Sequence, residues 1–256
     1  MTVNDVIAVL EELSPPEYAC DWDNVGLIIG DRAKEVHKIL VAVDVHQGIA
    51  DRAVAEGVDL IISHHPMIFS GIKKVNTDDF TGRKIMQLIQ NDIAVYAMHT
   101  NFDIKGSMAE IAAGKLWLND MEVLLPTAEE AGLGVIGEMA HLNLRSFAFV
   151  VKDTFEVDNV KVYGNLNELV HRIAILPGSG RSAIGAAVEG GADVLITGDI
   201  SHHDGLDAVE MGLKIIDAGH YGVEKIFIDF MSDYIREHIP GPEILTEEKK
   251  ERFTWL

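Results

Sequence analysis

Five side chains in this sequence can bind a metal, and each follows an apolar run that reads as a strand. His64 and His65 come directly after Leu60-Ile61-Ile62-Ser63, and Asp103 stands shortly beyond Ile93-Ala94-Val95-Tyr96-Ala97-Met98. His220 and Glu224 follow Ile215-Ile216-Asp217-Ala218-Gly219. Ligands of open α/β sheets collect beyond the carboxyl ends of the strands, so these groups are expected to converge. His220 and Glu224 are four positions apart, and a helix starting after Gly219 would put both on one face, able to share an ion. Neighbours in extended chain point apart, so His64 and His65 suit two different ions better than one. Imidazole nitrogen and carboxylate oxygen without thiolate match Zn, Fe, Mn, Co or Ni rather than Mg or Ca.

Each signal also has a plainer reading. A His-His pair alone is usually polar surface, and His-x-x-x-Glu recurs as a simple i,i+4 pair. Asp103 could cap a helix starting near Ser107 or fix a turn. Three strand ends bearing ligands at matching places of a repeated pattern favour the metal site. His99 stands where the first half matches His220 of the second. It is a candidate catalytic proton-transfer group; a further ligand, an orienting partner of Asp103 and a backbone-bonded histidine are the alternatives. Gly178-Ser179-Gly180-Arg181-Ser182 could bind an anion but reads more safely as a tight strand-to-helix turn. His202-His203-Asp204 reads as a solvated loop, and Trp22-Asp23-Asn24-Val25-Gly26-Leu27 as a turn with a packed indole. No Gly-x-Ser-x-Gly elbow occurs, and Cys20 has no nucleophile context.

The elements that must position these groups are short apolar runs at 38–43, 59–62, 93–98, 172–176, 193–196 and 213–216. Runs apolar on both faces suit strands covered on both sides. Helical stretches around 47–56, 81–91, 181–190 and 204–211 alternate with them, which reads as α/β with mostly parallel sheets. Val3, Val6, Ile7, Leu10 and Leu13 predict an N-terminal amphipathic helix with Asn4 available as its cap. Between 134 and 164, His141-Leu142-Asn143-Leu144 and Phe147-Ala148-Phe149-Val150-Val151 suggest a few strands with little helix.

The halves resemble each other. Gly57-Val58-Asp59-Leu60-Ile61-Ile62 lines up with Gly191-Ala192-Asp193-Val194-Leu195-Ile196 at an offset of 134, and His99 to Asp103 with His220 to Glu224 at 121. Duplication implies two similar α/β domains, 1–125 and 126–256, with the boundary in Pro126-Thr127-Ala128-Glu129-Glu130 and the last helix free to pack on either domain.

The chain has 256 residues and a formal charge of −20. Such a field repels phosphate backbones and anionic lipid, so nucleic acid and membrane are not expected partners. A single cysteine excludes an internal disulfide framework and a Cys-based zinc module and fits a reducing cytosol. No span is apolar enough for a transmembrane helix, and the first residues lack the basic region of a signal peptide. A cytoplasmic location is the expectation.

The motifs together resemble the YbgI-like proteins, also called the NGG-interacting-factor-three-like family, whose members are often described as type 2 GTP cyclohydrolase I homologues. The resemblance lies in Trp22-Asp23-Asn24-Val25-Gly26-Leu27, Ser63-His64-His65-Pro66, His99-Thr100-Asn101-Phe102-Asp103, Gly190-Gly191-Ala192-Asp193 with Thr197-Gly198-Asp199, and Asp217-Ala218-Gly219-His220-Tyr221-Gly222-Val223-Glu224. It implies a duplicated α/β fold in its short form and a toroidal homohexamer. It also implies two divalent transition-metal ions per subunit between the domains, held by His64, His65, Asp103, His220 and Glu224, with Asp103 and Glu224 as the bridging pair. The implied activity is a dinuclear metal-dependent hydrolase using a metal-bridging hydroxide on a small molecule such as GTP. The rival is a non-catalytic metal-binding or protein-interaction scaffold.

Overall fold

The protein was analysed as a computed structural model that describes residues 1–128 and 131–254. Glu129 and Glu130, inside the expected boundary stretch, lie outside the described residues, as do Trp255 and Leu256.

The chain forms two compact units, one of Met1–Gly106 with Phe227–Lys250, the other of Ser107–Ile226 with the residues from Glu251 on. This division differs from a single cut at 125/126 at both ends. Helix α5 (Met108–Lys115), which buries Met108, Ala109, Ala112 and Ala113, belongs to the second unit. From Phe227, the second residue of α10 (Ile226–His238), the chain returns to the first unit, where strand β11 (Glu243–Thr246) pairs with β2 at the sheet edge.

In the first unit, α1 (Val3–Leu13) precedes β1 (Gly26–Ile29), β2 (Lys38–Ala42), α2 (Gln47–Glu56), β3 (Leu60–Ser63), α3 (Phe80–Gln90), β4 (Ala94–Ala97) and the short α4 (Thr100–Ile104). Thr2 rather than Asn4 caps α1: its hydroxyl accepts from the Asp5 N–H while the Asp5 carboxylate accepts from the Thr2 N–H. The sheet order is β1-β4-β3-β2-β11, parallel except for β1. Every residue of β3 and β4 is fully buried, which is what continuous apolar runs predict for strands covered on both faces. Ile49, Ala53, Ile85 and Leu88 from α2 and α3 pack with Leu40, Ile61 and Val95 on one of those faces.

In the second unit, α5 is followed by β5 (Asn119–Ala128), β6 (Ala131–Asn143), α6 (Leu144–Thr154), β7 (Lys161–Tyr163) and β8 (Leu169–Ser179). Then come α7 (Ile184–Glu189), β9 (Val194–Gly198), α8 (His202–Glu210), β10 (Lys214–Asp217) and α9 (His220–Glu224). The sheet order is β5-β6-β8-β9-β10-β7. Its centre, β8-β9-β10, is parallel, and β5, β6 and β7 add antiparallel pairings. Phe147 to Val151, expected as strand, lie in helix α6. Asn143 ends β6 and caps that helix through the Ser146 N–H at 2.8 Å. Leu144, Phe147, Ala148 and Val151 then recur at i, i+3, i+4 and i+7, the period of a buried helical face. Among the described residues, no helix is long and apolar enough to cross a membrane.

Candidate metal centre

In the first unit the parallel order β2-β3-β4 brings three strand ends side by side. Asp44 follows β2, His64 and His65 follow β3, and His99 follows β4. The ligand atoms of His64, His65 and His99 all lie within 4.8 Å of one another. Their ring centroids are 4.9 Å apart for His64 and His65, 5.2 Å for His64 and His99, and 5.4 Å for His65 and His99. His64 is fully buried. Asp103, one turn into the helix that β4 leads into, has Oδ1 at 3.6 Å from His64 Nε2.

Each imidazole is oriented from behind. His64 Nδ1 lies 2.8 Å from the Met98 carbonyl, His65 Nδ1 2.8 Å from Asp44 Oδ1, and His99 Nδ1 2.8 Å from Asp23 Oδ1. A carbonyl or an ionised carboxylate can only accept, so each Nδ1 carries a proton, and in the neutral imidazole that leaves Nε2 as the nitrogen with the lone pair. This is the arrangement by which proteins aim neutral histidines at a metal. The Asp23 carboxylate is wholly buried and also accepts from the Thr100 N–H at 3.0 Å and from its hydroxyl. Burial alone raises its pKa, but the hydrogen bonds from His99 and Thr100 and the nearby imidazole hold it well below the usual carboxylate range.

In the second unit the turn after β10 passes through Gly219 at φ +80°, a conformation that favours glycine, and α9 begins at His220. The expected helical pairing is present: His220 Nε2 lies 3.1 Å from Glu224 Oε2. His220 Nδ1 is held at 2.8 Å by Asp199, itself at φ +56°. Opposite stands Gly178, also left-handed at φ +76°, where a Cβ would come within 2.5 Å of Glu224 Oε1 and 3.5 Å of His220 Nε2. A side chain at position 178 would crowd both donors.

Both donor sets fit a borderline transition metal: lone-pair imidazole nitrogens beside carboxylate oxygens, with oriented rings. The first unit gathers His64, His65 and Asp103, and adds His99; the second pairs His220 with Glu224. Sequence reasoning missed the orienting carboxylates Asp23, Asp44 and Asp199. Asp23 and His99 are 76 positions apart, and no local spacing links them. The Trp22 indole, expected to be packed, is 60% exposed; the turn is anchored by Asp23 and Asn24 instead. Arg181 pairs with Asp204, and residues 181–183 form a single 3₁₀ turn leading into α7. Burial pushes the Cys20 thiol up, away from the thiolate a nucleophile needs.

Comparison with known proteins places this geometry. A Clostridium perfringens protein named "GTP cyclohydrolase 1 type 2 homolog" is 36% identical over 262 residues, covering 100% of both chains. A Bacillus cereus protein related to NIF3 superposes with a TM-score of 0.94 at 27% identity, covering 100% of this chain and 99% of the other. A Staphylococcus aureus hypothetical protein gives a TM-score of 0.90 at 30% identity, again covering 100% and 99%. The model of the Duf34/NIF3 (NGG1p interacting factor 3) family matches residues 1–250, and the chain belongs to that family.

Proposed function

We propose that the protein is a dinuclear metal-dependent hydrolase of GTP cyclohydrolase 1 type 2-like activity. The observation that carries this reading is the set of oriented imidazoles, His64, His65 and His99, each with Nδ1 spent on an acceptor and Nε2 turned to a common point. His64, His65, Asp103, His220 and Glu224 would hold the metal. That both donor sets would serve the same metal centre, with Asp103 and Glu224 as its carboxylate ligands, is what the family resemblance of their motifs implies.

When bound, two such ions lower the pKa of water at the site and polarise the atom under attack. The chain's own part is to fix the ligands and to handle protons. Asp23, Asp44 and Asp199 keep the imidazoles in one tautomer and one orientation. His99, the imidazole backed by buried Asp23, is the proton-transfer group, with its Nε2 facing the cluster. Against a chain charge of −20, an anionic nucleotide depends on the cations and on local lysines such as Lys73 and Lys74. A toroidal homohexamer in the cytoplasm completes the proposal, by the same resemblance.

Elemental analysis of wild type, His64→Ala and Glu224→Ala, followed by GTP turnover on metal-replete protein, tests this. The expected result is about two transition-metal ions per chain, lost in both variants, with metal-dependent GTP consumption. No metal after any reconstitution overturns the site. Tight metal without turnover of GTP or a nucleotide panel gives the scaffold reading instead.

A further inference from the structure

We infer that Trp22 and Phe69 form an aromatic platform at the rim of the histidine cluster that stacks a planar heteroaromatic ring of the small molecule handled there. The inference rests on reading that cluster as the reacting centre. Large aromatic side chains normally spend their area in a core or an interface, yet here Trp22 is 60% and Phe69 52% exposed. They are not scattered. Their ring centroids are 5.9 Å apart at an interplanar angle of 51°.

Both rings meet the same imidazole. The His99 ring lies 6.1 Å from Trp22 at 74° and 6.3 Å from Phe69 at 77°, edge contacts in each case. His99 in turn is 5.2 Å from His64, so exposed aromatic surface runs without a break into the buried donors. The pair is also built, not incidental. Asn24 Nδ2 donates to the Ile68 carbonyl at 2.5 Å, tying the residues beside each ring together, and Asp23 anchors the same turn to His99.

This continuity selects the occupant. A protein or lipid laid over both rings would also cover the edge of His99 and close the centre. A flat heterocycle stacks on one ring face, meets the other ring at its edge because the two planes are 51° apart, and leaves its polar edge for the imidazoles. Stacking of this kind reads a π-face and tolerates several ring systems, so the ligand is set by class: a purine, pterin or comparable conjugated heterocycle.

The test is isothermal titration calorimetry of the metal-loaded full chain with guanosine and with pterin, and with ribose as the ringless control. Trp22→Ala and Phe69→Ala are each expected to weaken heterocycle binding about tenfold, the size of one lost base–aromatic stack. Trp22→Phe should stay within about threefold of wild type. Metal content and thermal midpoint should not change, because both side chains are exposed. Failure of both heterocycles to bind wild type at millimolar concentration, or equal binding by the alanine variants, overturns the platform. So does a change in particle size by light scattering with heterocycle binding unaltered, which would make the rings a subunit contact. If wild type holds no metal while the alanine variants still weaken heterocycle binding, the metal reading fails and the platform stands.

Discussion

The two units repeat one scaffold and diverge where the chemistry sits. Ile39 pairs with Leu60 across β2 and β3, and Ile173 pairs with Val194 across β8 and β9, both partners shifted by 134. The Asp59 carboxylate accepts from the N–H groups of His37 and Lys38, and Asp193 accepts from His171 and Arg172, the same bonds at the same offset. Gly57 and Gly191 both end a helical stretch in the left-handed region. Just past β3 and β9 the likeness stops. The positions of His64 and His65 hold Gly198 and Asp199 in the second unit.

A one-residue difference explains the divergence. Strand β4 maps onto β10 at an offset of 120, since Leu60 faces Ala94 and Val194 faces Lys214, whereas His99 and His220 are 121 apart. The extra residue falls in Ala218-Gly219, and it brings backbone against the end of β9: a Cβ on Gly198 would lie 2.3 Å from His220 N and 2.6 Å from Gly219 C. No side chain fits there. The second unit therefore takes both its donors from α9, while the first draws them from the residues after β3, the residues after β4, and α4. A shared scaffold conserves hydrogen bonds that set strand register; the loops beyond it are where chemistry changes.

The largest expected effect breaks the comparison at that point. Gly198→Ala should destabilise the protein by about 3 kcal/mol in urea unfolding, because the clash is with backbone that cannot swing away. Next comes the orientation of the imidazoles. Asp23→Asn should lower GTP turnover of the metal-loaded protein by roughly 10- to 100-fold by releasing His99 from its orientation, with metal content retained and the protein still folded by circular dichroism. Asp199→Asn, behind the ligand His220, should weaken metal binding only within about threefold in chelator competition, since solvent screens its 59%-exposed side chain.

The paired carboxylates sharpen the likeness. Asp59→Ala and Asp193→Ala should each cost about 2 kcal/mol by the loss of two backbone hydrogen bonds, and a large inequality would show that the units are not energetic equivalents. Burial raises the Asp59 carboxyl, but the His37 and Lys38 N–H groups and Lys34 bring it below the ordinary value. Its contribution is thus complete above the unfolded value near about 3.9 and lost as the pH falls through the lower folded one. The gap between Asp59→Ala and wild type should accordingly narrow at the acid end of a stability profile. The smallest effect on folding stability is shared by both turns: Gly57→Ala and Gly191→Ala each cost about 1 kcal/mol, the strain of a left-handed L-residue in open space.

The strand runs, the main helices and the repeat were legible because parallel strands covered on both faces must be continuously apolar, a local property. The His220–Glu224 pairing was legible for the same reason: four positions on a helix is a local distance. Helix α6 was misread because Phe147 to Val151 is apolar enough for a strand, and the Asn143 cap decided between two periods. Trp22 was read as a packed indole because its type favours burial; nothing local showed that Asp23 and Asn24 anchor the turn while the indole stays 60% exposed.

The sequence by itself therefore determined the α/β class, the repeat, the family and the donor types, since each depends on residue identity and short spacing. Tertiary structure decided where the units divide, which carboxylate stands behind which imidazole, and why β9 ends in glycine. Those outcomes depend on strand order: only when β2, β3 and β4 lie side by side do Asp44, His65 and His99 share one sheet edge, and strand order is a choice among distant segments that no local pattern encodes.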